Sequence, residues 1–306
     1  MNPQILYFRI NNYCNAKCFM CDFWKNPHKD FDKGIFEQVI NSLPMIKLVR
    51  FTGGEPLLCS NLSYYAKICN DRGILTSIIT NGLLLEKKID ELANQGINQI
   101  IISLDASTPK LHDKLRGTPG LFSKIEAAVK LINKKYPFIK IRINTVVSHD
   151  NIYDLTNIFN WLKEHGISQW SIIPIKLPDY KWSDKISFEA FQSVYQNFQD
   201  TVKDCDILMG YSANWANDIK AFWNGEGTIR PKGKCNLGEK VTFYDPFSDI
   251  FFPCNCIPHR KQKLCNYSAM ANWYYEHGPS HCNGCEPLNA WYSDNIESTD
   301  FNIFRF

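Results

Sequence analysis

The chain is 306 residues long, carries 34 Lys and Arg against 31 Asp and Glu for a formal net charge of +3, and is 44% hydrophobic. That is enough for one large domain with an appendage, or for two modest domains, with ample core in either case. No basic block or acidic tail gives an argument for nucleic acid or a membrane surface, no apolar run approaches a membrane span, and the opening "MNPQILYFRINNYC" is too short and too polar for a secretory signal. The pattern is that of a soluble, cytoplasmic protein, in which the 12 cysteines read as metal ligands before disulfides.

In chain order, an apolar strand over Leu6 to Asn11 runs directly into "CNAKCFMC", residues 14 to 21. A helical stretch, "FDKGIFEQVINSL", leads to a strand over Leu48 to Thr52 that closes on "FTGGEP". Next come "NLSYYAKICNDRG", a strand over Ser77 to Thr80 ending on "TNG", "LEKKIDELANQG", and a strand from Gln99 to Leu104 running into "SLDAS". "FSKIEAAVKLINKKY" precedes a strand over Ile141 to Val147, and "NIYDLTNIFNWLKEHG" precedes one over Trp170 to Pro174. Several helical stretches end in Gly, as a helix C-cap does. Continuous apolar strands alternating with helices predict parallel βαβ units with right-handed crossovers. Six of them make an α/β fold, a partial (β/α)6 TIM barrel over residues 1–205. In such barrels the chemistry sits on loops at the C-terminal ends of the strands, which is where "CNAKCFMC" falls.

After residue 205 helical periodicity fades, and Cys, Trp, Tyr, Pro and Gly crowd together. Residues 206–306 are read as a second, small cysteine-rich α+β domain, of a size that commonly rests on metal.

By residue type and spacing, Cys14, Cys18 and Cys21 leave three readings open: a zinc site completed from a distance, incidental buried thiols, or an iron-sulfur cluster. Thiolates are soft ligands suited to iron-sulfur, and a cubane has four irons. Three protein ligands leave one iron open to bind a small molecule and pass it an electron.

The C-x3-C-x2-C run behind a first strand resembles the radical S-adenosylmethionine (SAM) superfamily, and further segments follow in that family's order. The resemblance implies a 4Fe-4S cluster whose open iron binds the methionyl amine and carboxylate of SAM, and reductive cleavage to a 5′-deoxyadenosyl radical that abstracts a substrate hydrogen. In "GGE", it gives Gly53 and Gly54 the role of letting ligand approach the backbone and Glu55 that of accepting from the methionyl ammonium. It puts Ser103 on SAM, makes Asp105 the organiser of its loop, and has Arg116 of "HDKLRG" clamp the SAM carboxylate. By the same resemblance Asn144 on the fifth strand is expected to face the ribose, and Ile172 to Pro174 to offer backbone atoms to adenine. One departure shows: the residue before the third cysteine, commonly aromatic in the family, is Met20, which either weakens the expected adenine stacking or shifts it to Phe19.

"KCNLGEKVTFYDPFSDIFFPCNC" brackets a β-hairpin between Cys235 and Cys254, and "HCNGC" supplies Cys282 and Cys285. With "CNLG" and "PC" in place, this segment resembles the twitch domain, a shortened relative of the SPASM domain. The longer relative needs further cysteines, and none follows Cys285. The resemblance therefore implies one auxiliary 4Fe-4S cluster, with zinc in the same four cysteines as the alternative. Cys59, Cys69 and Cys205, in or beside predicted helices, are read as packing. Cys256 and Cys265 are candidate hydrogen donors, spare ligands, or thiols without a chemical role.

With a single closed auxiliary cluster, the chain resembles enzymes that oxidise a carbinol of a small sugar or aminocyclitol, served by a reducing partner such as flavodoxin or ferredoxin. Hydrogen return from Cys256 or Cys265 would instead make it an epimerase. Modification of a ribosomally made peptide is the other alternative, disfavoured because the first strand begins by about residue 5, where many peptide modifiers carry a leader-recognition domain. Tyr180, Trp182, Asn214 and Trp215 are candidate substrate contacts or an interdomain seal.

Overall fold

The computed structural model describes residues 3–29, 31–175, 177, 179–209, 219–220, 223–224 and 240–252. Its strands are β1 (Ile5–Asn11), β2 (Leu48–Gly53), β3 (Leu75–Thr80), β4 (Gln99–Ser103), β5 (Lys140–Val147), β6 (Gln169–Pro174), β7 (Leu208–Met209), β8 (Val241–Asp245) and β9 (Ile250–Phe252). Between them run α1 (Gly34–Asn41), α2 (Leu62–Asp71), α3 (Leu85–Asn94), α4 (Pro109–Arg116), α5 (Leu121–Lys135), α6 (Leu155–Glu164) and α7 (Phe188–Val202). All nine strands form one sheet in the order β7-β6-β5-β4-β3-β2-β1-β8-β9, parallel throughout except for the β8–β9 hairpin. This is the partial barrel that alternating strands and helices predict, because each helical crossover returns the chain to the same edge in the same direction.

The expected strands appear within two residues of their predicted ends, and the five helical stretches become α1, α2, α3, α5 and α6. α5 shows why: Leu121, Phe122, Ile125, Ala128, Val129 and Ile132 make an apolar stripe of helical period, and all six are buried. Two helices lie outside those stretches. α7 carries its own signals, an N-cap in which Ser187 accepts from the Ala190 amide at 3.2 Å and buried Phe191, Tyr195, Phe198 and Val202. α4 is only eight residues, opened by Pro109 and closed by Gly117 in the left-handed region.

The hairpin expected between Cys235 and Cys254 is present as β8 and β9, with Asp245 opposite Ile250 across its turn. It does not stand apart. β8 pairs in parallel with β1, Tyr7 opposite Phe243, so the sheet continues past residue 205 and the hairpin extends the barrel edge. Cys235, Cys254, Cys256, Cys265, Cys282, Cys285, Asn214 and Trp215 lie outside the described residues.

Register separates the two faces of the sheet. Phe8, Phe51, Ile78 and Ile100 are neighbours across β1 to β4, and Phe8 and Phe51 pack on Phe36 of α1 and Tyr65 of α2, so this is the helix-covered outer face. One residue earlier, Tyr7, Arg50, Ser77 and Gln99 are likewise neighbours and therefore line the concave inner face. Arg50, 1% exposed, donates to Tyr7 Oη at 2.8 Å, Ser77 Oγ at 3.2 Å and Gln99 Oε1 at 3.1 Å, and Gln99 Nε2 reaches Gln169 at 2.8 Å. This hydrogen-bonded layer floors the barrel. Toward the C-terminal ends of the strands the same face carries Thr52, Ile79, Ser103, Asn144 and Ile173, all only partly buried. The concave face is thus closed below and open above.

Arg50→Met should remove a donor from three buried acceptors at once and cost on the order of 2–3 kcal/mol. Urea unfolding followed by circular dichroism checks this, and a loss under about 1 kcal/mol would mean that the polar floor does not support the barrel.

Candidate functional site

The upper rim is built around the segment that leaves β1. Gly54 N donates to Asn11 O at 2.8 Å, Glu55 N donates to Tyr13 O at 2.9 Å, and Asn11 Nδ2 donates to Glu55 O at 3.3 Å. These bonds lay the start of the cysteine loop on the end of β2. A Cβ at Gly53 would stand 2.1 Å from the Asn11 carbonyl oxygen and one at Gly54 2.0 Å from that of Tyr13, and Gly53 sits at φ +132°. Both glycines are needed for backbone to meet backbone, a demand different from the ligand approach expected of them.

Glu55 is fully buried. Its Oε1 accepts from Leu57 N at 3.0 Å and Thr80 Oγ1 at 2.7 Å, and its Oε2 from Asn81 N at 2.7 Å. The carboxylate is a tie between the "GGEP" turn and "TNG" at the end of β3. Burial raises its pKa to about 7 against the opposing pull of those three donors. Asn81 in turn reaches the cysteine loop, with Nδ2 2.8 Å from Asn15 Oδ1 and 3.5 Å from Cys14 Sγ.

Around this frame lie the three thiols. Cys18 is buried, Cys14 and Cys21 are partly so, and Cys21 N donates to Cys18 O at 3.2 Å. Burial pushes the Cys14 thiol up to about 11 and the Cys18 thiol upward as well, and each feels a neighbouring cysteine of the triplet. Among the described residues no three His, Cys, Asp or Glu side chains converge on a point where a single ion would sit. Three cysteine sulfurs are soft donors of the kind an iron-sulfur cluster takes, so the chemistry of the donor set fits that group. Phe19 is 46% exposed between two of these cysteines, while Met20 packs on the core.

On the far side of the mouth, Asp105 and Arg116 form a buried pair, Nη2 to Oδ1 at 2.7 Å and Nε to Oδ2 at 2.6 Å. Arg116 Nη1 is 3.9 Å from Cys18 Sγ. Asp105 is tied into its loop by three hydrogen bonds: Oδ1 accepts from Val146 N at 2.8 Å, its carbonyl accepts from Asn151 Nδ2 at 2.6 Å, and its amide donates to His112 Nδ1 at 3.1 Å. His112 is buried, which drives its pKa down to about 3 and keeps the ring neutral as that acceptor. Two edges of the Arg116 fork are spent on Asp105, and Nη1 is left facing the cysteine loop. Ser103 and Asn144 are opposite each other on the inner face, and Asn144 Oδ1 is buried with no hydrogen-bond partner. An orphaned acceptor there fits a bound molecule carrying a hydroxyl, as the ribose of SAM does.

Asn81, His112, Asn151 and Leu115, whose carbonyl accepts from Phe19 N at 3.2 Å, join the site in the structure without being among the residues that motif and spacing single out. The signal for Asn81 was its place in "TNG" at a strand end; the other three act through contacts that spacing does not reveal. Trp182, a candidate substrate contact, is fully buried against Trp223 and Phe191 with Nε1 bonded to Ile175 O at 3.2 Å, so it seals α7 to the barrel. Tyr180 stays at the mouth, stacked on His149 at 5.0 Å and accepting from the His149 amide at 2.8 Å.

A family model, Radical SAM superfamily, matches residues 8–162, the span from β1 into α6 that carries the three cysteines, Glu55, Asp105, Arg116 and Asn144. The chain belongs to the radical SAM superfamily. It is 26% identical over 217 residues to an AdoMet-dependent heme synthase of Methanosarcina barkeri, covering 68% of this chain and 61% of that protein. It is also 24% identical over 279 residues to AlbA, the antilisterial bacteriocin subtilosin biosynthesis protein of Bacillus subtilis, covering 81% of this chain and 59% of the relative. The chain thus spans about three fifths of the length of each. Among solved structures, Streptococcus suis SuiB bound to S-adenosylmethionine superposes with a TM-score of 0.66 at 18% identity, over 89% of this chain and 65% of that one. Membership of this family implies a 4Fe-4S cluster and SAM as cofactors, and among the described residues no helix is long and apolar enough to cross a membrane.

Glu55 provides a test of the frame. Because its folded pKa lies near 7 and its unfolded value near 4.5, the folded state binds the proton more tightly, and this group's contribution to stability is present below pH 4.5 and lost as pH rises to about 7. Glu55→Gln should abolish that component and also set an amide N–H against the Asn81 N–H, costing about 1–3 kcal/mol. Urea midpoints of both proteins at pH 5 and pH 7.5 measure it; parallel pH dependence in the two would show that Glu55 does not titrate in this range.

Proposed function

We propose that the chain binds a 4Fe-4S cluster through Cys14, Cys18 and Cys21, cleaves SAM to a 5′-deoxyadenosyl radical, and oxidises a carbinol carbon of a small sugar or aminocyclitol by two electrons. The observation that carries the SAM part is the rim itself, with three thiols, the Asp105–Arg116 pair and the orphaned Asn144 acceptor gathered on the open end of the partial barrel. When bound, the cluster and SAM supply the radical chemistry; the protein's part is to orient and to exclude water. Arg116, held edge-on by Asp105, offers Nη1 to the methionyl carboxylate, and Asn144 Oδ1 with Ser103 offers acceptors to the ribose. Glu55 and the glycines fix the cysteine loop from beneath, with Glu55 Oε2, engaged by one amide, as the atom nearest to the expected ammonium role. The buried floor around Arg50 keeps water from entering below.

Cys235, Cys254, Cys282 and Cys285 are proposed to hold an auxiliary 4Fe-4S cluster that accepts the electron left on the substrate radical, as in a twitch domain. No hydrogen donor is then needed, and Cys256 and Cys265 are dispensable. If either were the donor, the enzyme would be an epimerase. A peptide substrate is a second reading, favoured by the match to AlbA, which extends over 81% of the chain and so beyond the family model. The electron donor is proposed to be flavodoxin or ferredoxin.

Anaerobically reconstituted protein should hold about eight irons and eight sulfides, two cubanes. Replacing Cys14, Cys18 and Cys21 together by Ala should leave about four of each and abolish 5′-deoxyadenosine formation; iron near four with stoichiometric zinc in the unmodified protein would remove the auxiliary cluster. For the reaction, panels of amino sugars and of short peptides are incubated with the enzyme, SAM and dithionite in heavy water. A sugar product two hydrogens lighter, free of solvent deuterium and still formed by Cys256→Ala and Cys265→Ala supports the oxidation. A product of unchanged mass before exchange that gains one deuterium, and is lost with either cysteine, overturns it in favour of the epimerase.

A further inference from the structure

We propose that Arg116 and Asn81 set the reduction potential of the cluster carried by Cys14, Cys18 and Cys21 by directing N–H groups at two of its three protein sulfurs, and that Asp105 limits the effect of Arg116. The proposal rests on the reading that these three cysteines hold a cluster, and concerns that cluster before SAM binds.

Three contacts carry it. Arg116 Nη1 lies 3.9 Å from Cys18 Sγ, Asn81 Nδ2 lies 3.5 Å from Cys14 Sγ, and the Ala16 amide donates to the same Cys14 sulfur at 3.4 Å. None of these donors is free to swing away. Arg116 is pinned by two contacts to Asp105, which is itself held by the Val146 amide. Asn81 is pinned by Asn15 Oδ1 at 2.8 Å and, through its own Oδ1, by the Leu83 amide at 2.9 Å. Asp105 and Arg116 are 0% and 8% exposed, so water screens their charges little.

Reduction adds one electron, whose charge spreads onto the thiolate sulfurs. Hydrogen bonds and positive charge at those sulfurs therefore favour the reduced state, a recognised lever on iron-sulfur potentials. The Arg116 cation raises the potential, and the Asp105 carboxylate behind it opposes that rise. The two members of one ion pair thus act with opposite signs, a pattern that simple support of the fold would not produce.

The test is an anaerobic redox titration without SAM, followed by electron paramagnetic resonance, using dithionite as the one-electron reductant and subtracting the signal of the triple Cys14, Cys18, Cys21→Ala variant. In Arg116→Met the ratio of reduced to oxidised cluster at a fixed potential should fall about tenfold, a shift of about 59 mV to more negative potential for one electron. Arg116→Lys, which keeps the charge, should recover most of that shift. Asp105→Asn should move the potential upward, and Asn81→Leu downward. Iron and sulfide are assayed on every variant: a normal content with a wild-type potential in Arg116→Met overturns the proposal, as do shifts of the same sign in Arg116→Met and Asp105→Asn. If the unsubstituted protein binds no iron at Cys14, Cys18 and Cys21, the cluster reading fails first, and the proposal with it.

Discussion

A carboxylate buried without exposure to water must be surrounded by donors, and that requirement at Glu55 organises the end of this barrel. Its three hydrogen bonds come from the turn that follows it, from the Thr80 hydroxyl and from the Asn81 amide. Satisfying one acidic group thus fixes the separation of the ends of β2 and β3. Asn81, placed by Glu55, holds Asn15 and reaches Cys14. The backbone of the same turn, thinned to two glycines, accepts the chain leaving β1 against its own carbonyls and amides.

A second buried charge pair plays the equivalent part across the mouth. Asp105 and Arg116 are joined by two short contacts, and their surroundings distribute the remaining acceptor capacity of Asp105 to the β5 end. Breaking either partner would leave the other charged in a low-dielectric setting, a far larger penalty than the pair's own net contribution. Such a pair is kept for position more than for stability, and here the position is beside Cys18. The two frames, Glu55 on one side and Asp105 on the other, hold the cysteine loop from β2, β3 and α4 at once. Between them the inner face of the sheet remains partly open at Ser103 and Asn144.

The sheet explains why these groups meet. Parallel strands place every C-terminal end on one rim, so segments as far apart in sequence as Cys14, Glu55, Asn81, Asp105 and Asn144 converge there. The same parallel order lets β8 dock on the free edge of β1, where Arg9 meets Asp245 at 2.6 Å. A hairpin that reads as part of a separate module is thereby a continuation of the barrel edge.

By itself the sequence determined the alternation of strand and helix, the parallel barrel, the family, and which short segments occupy the rim, because apolar periodicity and residue spacing are local properties. It also singled out Glu55, Asp105 and Arg116. What only the tertiary structure decided is what those side chains touch: Glu55 binds its own fold's amides, Arg116 is committed on two edges to Asp105, and Trp182 lies in the core. The contacts of Asn81 and His112 became visible only when their partners, 67 and 7 residues away, were brought within hydrogen-bonding distance. The physical reason is that a buried polar group is satisfied by whatever the packed chain places around it, and that surrounding is set by sheet register and loop closure across the whole barrel, which spacing along the chain does not encode.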